Sequence, residues 1–119
     1  MPIRNAIASI PVASLAAALD WYARLFGRQP DSRPMDSLAE WRFEHGGWLQ
    51  LFESGDARVG HGSVTLAVAD LDEQRAALQA LGLDPGQEIG GPGVRALMLK
   101  DPDGNSLAFA QALDPGIAQ

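Results

Sequence analysis

Apolar and polar positions follow two rhythms in this chain, a strand-like alternation and a helical recurrence, and the pair of rhythms comes round twice. Residues 3–12 read as a strand, in which Pro11 removes one backbone donor and so places the strand's end near an edge or bend. Leu15, Leu19, Tyr22, Leu25 and Phe26 then recur at helical spacing, with Ser14 as N-cap and Gly27 as the stop. Residues 28–38, rich in proline, aspartate and serine, read as a surface loop. Residues 39–45 and 48–53 read as a hairpin turning over Gly46 and Gly47. The pattern then restarts with a strand at 61–68. Asp70 caps a second helix, with Glu73 three residues on as in a capping box, and Gly82 ends it. Leu71, Leu78 and Leu81 give that helix its apolar stripe. Residues 86–93 form a glycine-rich loop, and 114–119 read as a fraying tail. Between these, two apolar runs flank Asp101-Pro-Asp-Gly-Asn105, whose proline and glycine suit a turn between antiparallel strands.

A shift of 56 positions lays residues 10–15 on 66–71, Tyr22 on Leu78 and Leu25 on Leu81. The chain is therefore an internal repeat with modules at about 3–53 and 61–111, each a strand, a helix and two or three further strands. Neither module is large enough to bury a sheet face by itself. The expected fold is α+β: tandem βαβββ modules forming one curved mixed sheet around a central cavity, helices outside. The modules come from one chain, or from two chains that exchange halves. A symmetric turn at 101–105 puts Met98 opposite Ala108, on one face with Ala96, Lys100, Ser106 and Ala110. Leu97, Leu99, Leu107 and Phe109 then form a greasy face for a helix.

Composition narrows the chemistry. The chain has 119 residues, no cysteine and a net charge of −6. Disulfides, thiolate metal sites and cysteine nucleophiles are excluded. A nucleic-acid partner is disfavoured, because phosphates need a basic footprint. The acidity reads as solubility, or as attraction for a cationic ligand. No run is long and apolar enough for a membrane span, and no signal-peptide pattern opens the chain, so a cytoplasmic location is expected. No nucleophile elbow or Walker loop is present. The glycine-rich 90–93 does not open a helix, so it reads as a linking loop, or a lid, rather than a phosphate cradle.

Three stretches, residues 11–22 with Leu25, Phe26 and Gly27, residues 68–71, and the Asp-Pro-Asp-Gly-Asn turn, make the chain resemble the vicinal oxygen chelate superfamily. That superfamily holds glyoxalases, extradiol dioxygenases, fosfomycin-resistance enzymes and bleomycin-resistance proteins. The resemblance implies the cavity-forming fold, and in metal-dependent members four ligands on pocket-facing strands. Motif register carries those positions onto Ile7, Gln50, Ser63 and Ala108. Ile7 and Ala108 have no donor atom, and serine is a poor ligand for a transition ion, so no metal and no cofactor is expected. In this the chain is similar to the bleomycin-resistance branch, whose members bind cationic, planar-ringed ligands without metal chemistry. They are usually dimers, which implies a homodimer here, with modules swapped or unswapped.

The side on which Gln50's family counterpart points inward then has a candidate lining. A two-residue turn is expected at His45 and Gly46 or at Gly46 and Gly47, and pairing Phe43 with Trp48 sets Trp41 opposite Gln50. Trp41, Phe43, Trp48, Gln50 and Phe52 then share one face, and Leu49 and Leu51 turn to the helices. Aromatics around one amide make a wall for a flat, partly polar ligand, though the same rings could fill a core or a dimer interface. Ile7, Ser9, Ser63, Thr65, Met98 and Ala108 complete the expected lining, and Ala110 extends it. His45 reads as an exposed turn residue. His61 reads as a rim histidine, with ligand hydrogen bonding or general-base work as its functional reading. Tyr22 reads as core. Arg42, Arg58 and Arg95 would suit an anionic ligand instead. The leading expectation is a metal-free small-molecule-binding protein that sequesters an aromatic or cationic antibiotic. The alternatives are an enzyme of the same superfamily using non-standard ligands or His61, and a structural dimer without a ligand.

Overall fold

The computed structural model describes residues 2–119. The elements run β1 (Ile7–Val12), α1 (Leu15–Phe26), β2 (Ser32–Met35), β3 (Leu38–Arg42), β4 (Trp48–Glu53), β5 (Ser63–Ala67), α2 (Leu71–Ala80), β6 (Ile89–Gly91), β7 (Val94–Lys100) and β8 (Ser106–Ala112). This is an α+β fold of two successive βαβββ modules. Each module forms its own four-stranded mixed sheet, ordered β1-β4-β3-β2 and β5-β8-β7-β6, with its helix packed on one face. The first strand of each module lies parallel to the last, and the other pairings are antiparallel. Two compact units result, Met1–Gly62 with Pro102–Asn105, and Ser63–Asp101 with Ser106–Gln119.

In the first unit, Ile10 and Val12 of β1 and Leu49 and Leu51 of β4 are fully buried on the face that meets Leu15, Ala18 and Tyr22 of α1. Ser14 caps α1 by accepting from the Ala17 N–H at 3.3 Å, and Gly27 closes it in the left-handed conformation with φ 72°. The Leu15 N–H is taken by the Glu53 carboxylate at 3.0 Å, so the end of β4 also caps the helix. The second unit repeats the device. Asp70 accepts from the Asp72 and Glu73 N–H groups at 3.0 and 3.1 Å, and the Gln111 amide oxygen at the end of β8 accepts from Leu71 at 2.9 Å. Sequence reasoning found Ser14 and Asp70 but not Glu53 or Gln111, whose partners lie about forty residues away.

Three expectations change. The first strand begins at Ile7 rather than residue 3, because only residues from Ile7 onward find partners on β4. The stretch 28–38 is not all loop: it contains β2 and a tight turn at Asp36 and Ser37, with Met35 pairing Leu38. Pro34 is tolerated because β2 is the edge of its sheet and its pairing is irregular there. Likewise 86–93 contains the short edge strand β6. Pro11 sits as expected, on the edge strand β1.

The Asp-Pro-Asp-Gly-Asn turn is built for tertiary contact. Asn105 is fully buried; its amide oxygen accepts from the Gly62 N–H at 2.7 Å and its amide nitrogen donates to the Pro11 carbonyl at 2.9 Å. Asp103 accepts from the Ala13 N–H at 3.2 Å. Glycines make room: a Cβ at Gly60, where φ is +87°, would lie 2.6 Å from the Asp103 carbonyl oxygen, and one at Gly62 would lie 2.9 Å from the Asn105 amide oxygen. Asn105→Ala leaves one buried donor and one buried acceptor unpaired. The expected cost is about 2–3 kcal/mol in urea unfolding with an unchanged slope, and Asn105→Asp, which keeps the acceptor only, should lose stability too.

Candidate functional site

The register between β3 and β4 decides what the first sheet presents on the side away from α1. Phe43 N–H donates to the Gly47 carbonyl at 2.8 Å and Gly46 N–H to the Phe43 carbonyl at 3.1 Å, with Gly46 at φ 97°. The connection is thus a three-residue loop of Glu44, His45 and Gly46, not the expected two-residue turn. Three-residue hairpins place a left-handed glycine last, and Gly46 meets that need. The extra residue moves the pairing by one: Trp41 faces Leu49, Glu40 faces Gln50 and Arg42 faces Trp48. One step of register exchanges the two faces of a strand.

The expected five-residue wall therefore divides. Trp41 is fully buried on the helix side, its ring 5.4 Å from that of Phe26 and 6.2 Å from that of Tyr22, and its indole N–H donates to the Arg28 carbonyl at 3.2 Å. Phe43 stacks edge-on against Phe26 at 5.5 Å. These two aromatics belong to the core, as does Tyr22, which is itself fully buried. Trp48, Gln50 and Phe52 remain together on the opposite face, joined by their in-register neighbours Ile7, Ser9 and Pro11 on β1.

A polar row crosses that face from edge to edge. Ser9 Oγ donates to Gln50 Oε1 at 3.1 Å, Gln50 Nε2 donates to Glu40 Oε2 at 2.9 Å, and Ser32 Oγ donates to Glu40 Oε1 at 2.9 Å. The four residues come from β1, β4, β3 and β2 and are paired in register. Glu40 is half-buried, its recorded donors here are neutral, and among the described residues it forms no ion pair. On one side of the row stands Trp48, with the Arg42 guanidinium 5.7 Å from its ring centre. On the other stands Phe52, with the Arg58 guanidinium 5.2 Å away. Sequence reasoning missed Glu40 because the assumed register turned it toward the helix. The signal was present: Ala39, Trp41 and Phe43 are the apolar set of their strand and match Leu49 and Leu51.

In the second unit, Met98 pairs with Ala108 as expected, and Ser63, Thr65, Met98 and Ala108 share the face away from α2. Ser63 and Thr65 are exposed, and Met98 is partly so. Leu97, Leu99, Leu107 and Phe109 form the buried face. His61 is an exposed loop residue whose backbone N–H donates to the Arg58 carbonyl at 3.0 Å, and His45 lies in the hairpin loop. The positions that the family's metal would use do not fit one here. Ile7 and Ala108 offer no donor, the Gln50 oxygen is engaged by Ser9, and no group of three His, Asp or Glu side chains is gathered for a metal among the described residues.

The arginines raised for an anionic ligand are engaged elsewhere. Besides its ring contact, Arg58 pairs with Asp56 at 2.9 Å, and its hydrogen bonds hold the Asp56 carboxyl down at about 2. Arg95 binds Glu88 at 2.7 Å and Asp72 at 2.9 Å, and those hydrogen bonds lower both carboxyls from their ordinary range.

The sequence profile of the glyoxalase-like domain matches residues 8–110. A glyoxalase / bleomycin resistance protein from Catenulispora acidiphila DSM 44928 is similar at 33% identity, with 91% of this chain and 97% of that chain covered and a TM-score of 0.79. A lactoylglutathione lyase from Agrobacterium tumefaciens, at 22% identity, 99% and 100% coverage and TM-score 0.78, shares the fold. So does TioX from Micromonospora sp. ML1, at 24% identity, 92% and 99% coverage and TM-score 0.73. No curated protein matches the sequence.

Two outcomes follow from this geometry. Trp41→Ala should cost about 3–5 kcal/mol in chemical unfolding, whereas Trp48→Ala, on the open face, should cost far less. Arg95→Ala should flatten acid unfolding. Glu88 and Asp72 have folded-state values below their ordinary 4.5 and 3.8, so their contribution is complete above those values and disappears as pH falls through the lowered ones. The stability gap between wild type and Arg95→Ala should therefore be widest near neutrality and close on acidification, measured by urea unfolding at a series of pH values.

Proposed function

This chain belongs to the glyoxalase-like domain family, and we propose that it is a metal-free binding protein for a flat, cationic, aromatic ligand, of the antibiotic-sequestering kind. The observation that carries this reading is the row of Ser9, Gln50, Glu40 and Ser32 between Trp48 and Phe52. The half-buried Glu40 carboxylate accepts from neutral donors and forms no ion pair among the described residues, so a cationic ligand would meet no protein cation already bound to it. Rings on either side offer π faces, which attract cations and stack on planar groups. The remaining Gln50 N–H can orient a ligand acceptor.

The donor-poor residues at the family's metal positions argue for binding over metal-assisted turnover. The name of the Catenulispora protein joins glyoxalase to bleomycin resistance, and the second of these is the activity the present site favours. The net charge of −6 adds long-range attraction for a cation. Ile7, Ser9 and Gln50 belong to the same face of the first unit. Ser63, Thr65, Met98 and Ala108 line the open face of the second unit, which is proposed as a ligand-contacting face in its own right. The working species is taken to be a cytoplasmic homodimer, which light scattering would weigh directly.

The test is tryptophan fluorescence titrated with planar cationic glycopeptide and aromatic antibiotics, beside elemental analysis of the isolated protein. Saturable quenching is expected in the wild type and not in Trp48→Phe, because Trp41 is sealed in the core and Trp21 lies on α1, on the other side of the sheet. Glu40→Gln should weaken binding about tenfold, the equivalent of about 1.4 kcal/mol for one charge-assisted contact. A stoichiometric divalent ion in the isolated protein, or an absence of any saturable response, would overturn the reading.

A further inference from the structure

Both rings on the open face of the first sheet already carry a flat cation, and it belongs to the protein. The Arg42 guanidinium lies 5.7 Å from the Trp48 ring centre and the Arg58 guanidinium 5.2 Å from that of Phe52. Both arginines are exposed. Neither reaches Glu40, although Glu40 lies two residues before Arg42 on β3 and on the same face. A guanidinium is planar, delocalised and weakly hydrated, so it reports what else a ring face would accept.

The spacing is equally informative. Trp48 and Phe52 are four residues apart on β4, which puts them about 13 Å apart along the strand. Gln50 is midway between them, hydrogen-bonded to Glu40. The face thus has two ring stations with an amide and a carboxylate between them.

We propose that this face is a two-station site for a ligand with two flat cationic groups joined by a linker, and that Arg42 and Arg58 are tethered occupants which the ligand displaces. The proposal rests on the binding reading above and adds to it the number of cationic groups, their separation and the two displaced side chains. Each arginine held on its ring lowers the apparent affinity for an outside cation, because the competent state is the one with the ring free. An exposed cation–π contact is worth enough to shift an equilibrium about two- to fivefold. A ligand that fills both stations gains from effective concentration over one that fills either.

The experiment uses the intact protein with two probes, benzamidine as a single flat cation and pentamidine as two benzamidinium groups on a flexible chain long enough to reach both rings. Binding is measured by calorimetry at fixed salt. Pentamidine should bind at least tenfold tighter than benzamidine, and Trp48→Leu or Phe52→Leu should each bring it down toward the single-cation level. Arg42→Ala and Arg58→Ala should each tighten pentamidine about two- to fivefold. Arg24→Ala, which removes the same charge from α1, is the control for general electrostatics and should tighten it less. Circular dichroism checks that each variant is folded, and the two arginine variants, altered only at exposed side chains, test the proposal should either leucine variant fail to fold.

If both probes bind equally well, or the arginine variants bind no more tightly than the Arg24 control, the two-station inference fails and the single-cation reading stands. If neither probe binds wild type or the arginine variants, the binding reading falls and this inference with it.

Discussion

The three-residue loop of Glu44, His45 and Gly46 governs the first unit. By pairing Phe43 with Gly47 it sets Glu40 against Gln50 and Trp41 against Leu49. Everything else on that sheet depends on this step. It sends Trp41 to meet Tyr22 and Phe26 beneath α1, and it sends Glu40 to the open side. A two-residue turn would bury a carboxylate against leucines and leave an indole in water. Desolvating an unpaired carboxylate costs far more than a hydrophobic contact returns, so the apolar face admits only one register. The glycine at 46 makes the longer loop possible, because its φ of 97° is a conformation that side chains with a Cβ rarely adopt.

A second constraint ties each module's ends together. In both, the last strand lies parallel to the first and delivers a side chain to the N-terminus of the helix, Glu53 to Leu15 and Gln111 to Leu71. A helix N-terminus has unpaired N–H groups and a partial positive charge, so a carboxylate or amide oxygen there is favourable. The strand, the helix and the returning strand are thereby fixed in one relation. The repeat persists in this relation, although the residue types have diverged.

The strands, helices and repeat were largely legible because they rest on local periodicity. The second hairpin read correctly to the residue, with Met98 on Ala108, because one proline–glycine turn was available and both flanks had a clear apolar set. The first hairpin did not, because Gly46 and Gly47 offered more than one turn and aromatic residues are acceptable on either face of a strand. Matching the apolar parity of β3 to Leu49 and Leu51 would have chosen the register and exposed Glu40. The edge strands β2 and β6 were not legible: Pro34, Gly90 and Gly91 are turn residues by composition, and only pairing to a neighbour makes them strand. The capping roles of Glu53 and Gln111, and the buried bridge made by Asn105, join residues too distant in sequence for any local pattern to signal.

The polar row also bears on what kind of chemistry this face can perform. A metal centre needs donors converging on one point, with lone pairs free to point there. Here the donors and acceptors are strung along a line, one per strand, and much of their capacity is spent on one another. Such a row holds its side chains in fixed rotamers at little entropic cost to an incoming ligand, which favours recognition. In the binding reading proposed above, the carboxylate flanked by ring faces reads the charge and flatness of what lands on it, and the sheet supports it from edge to edge.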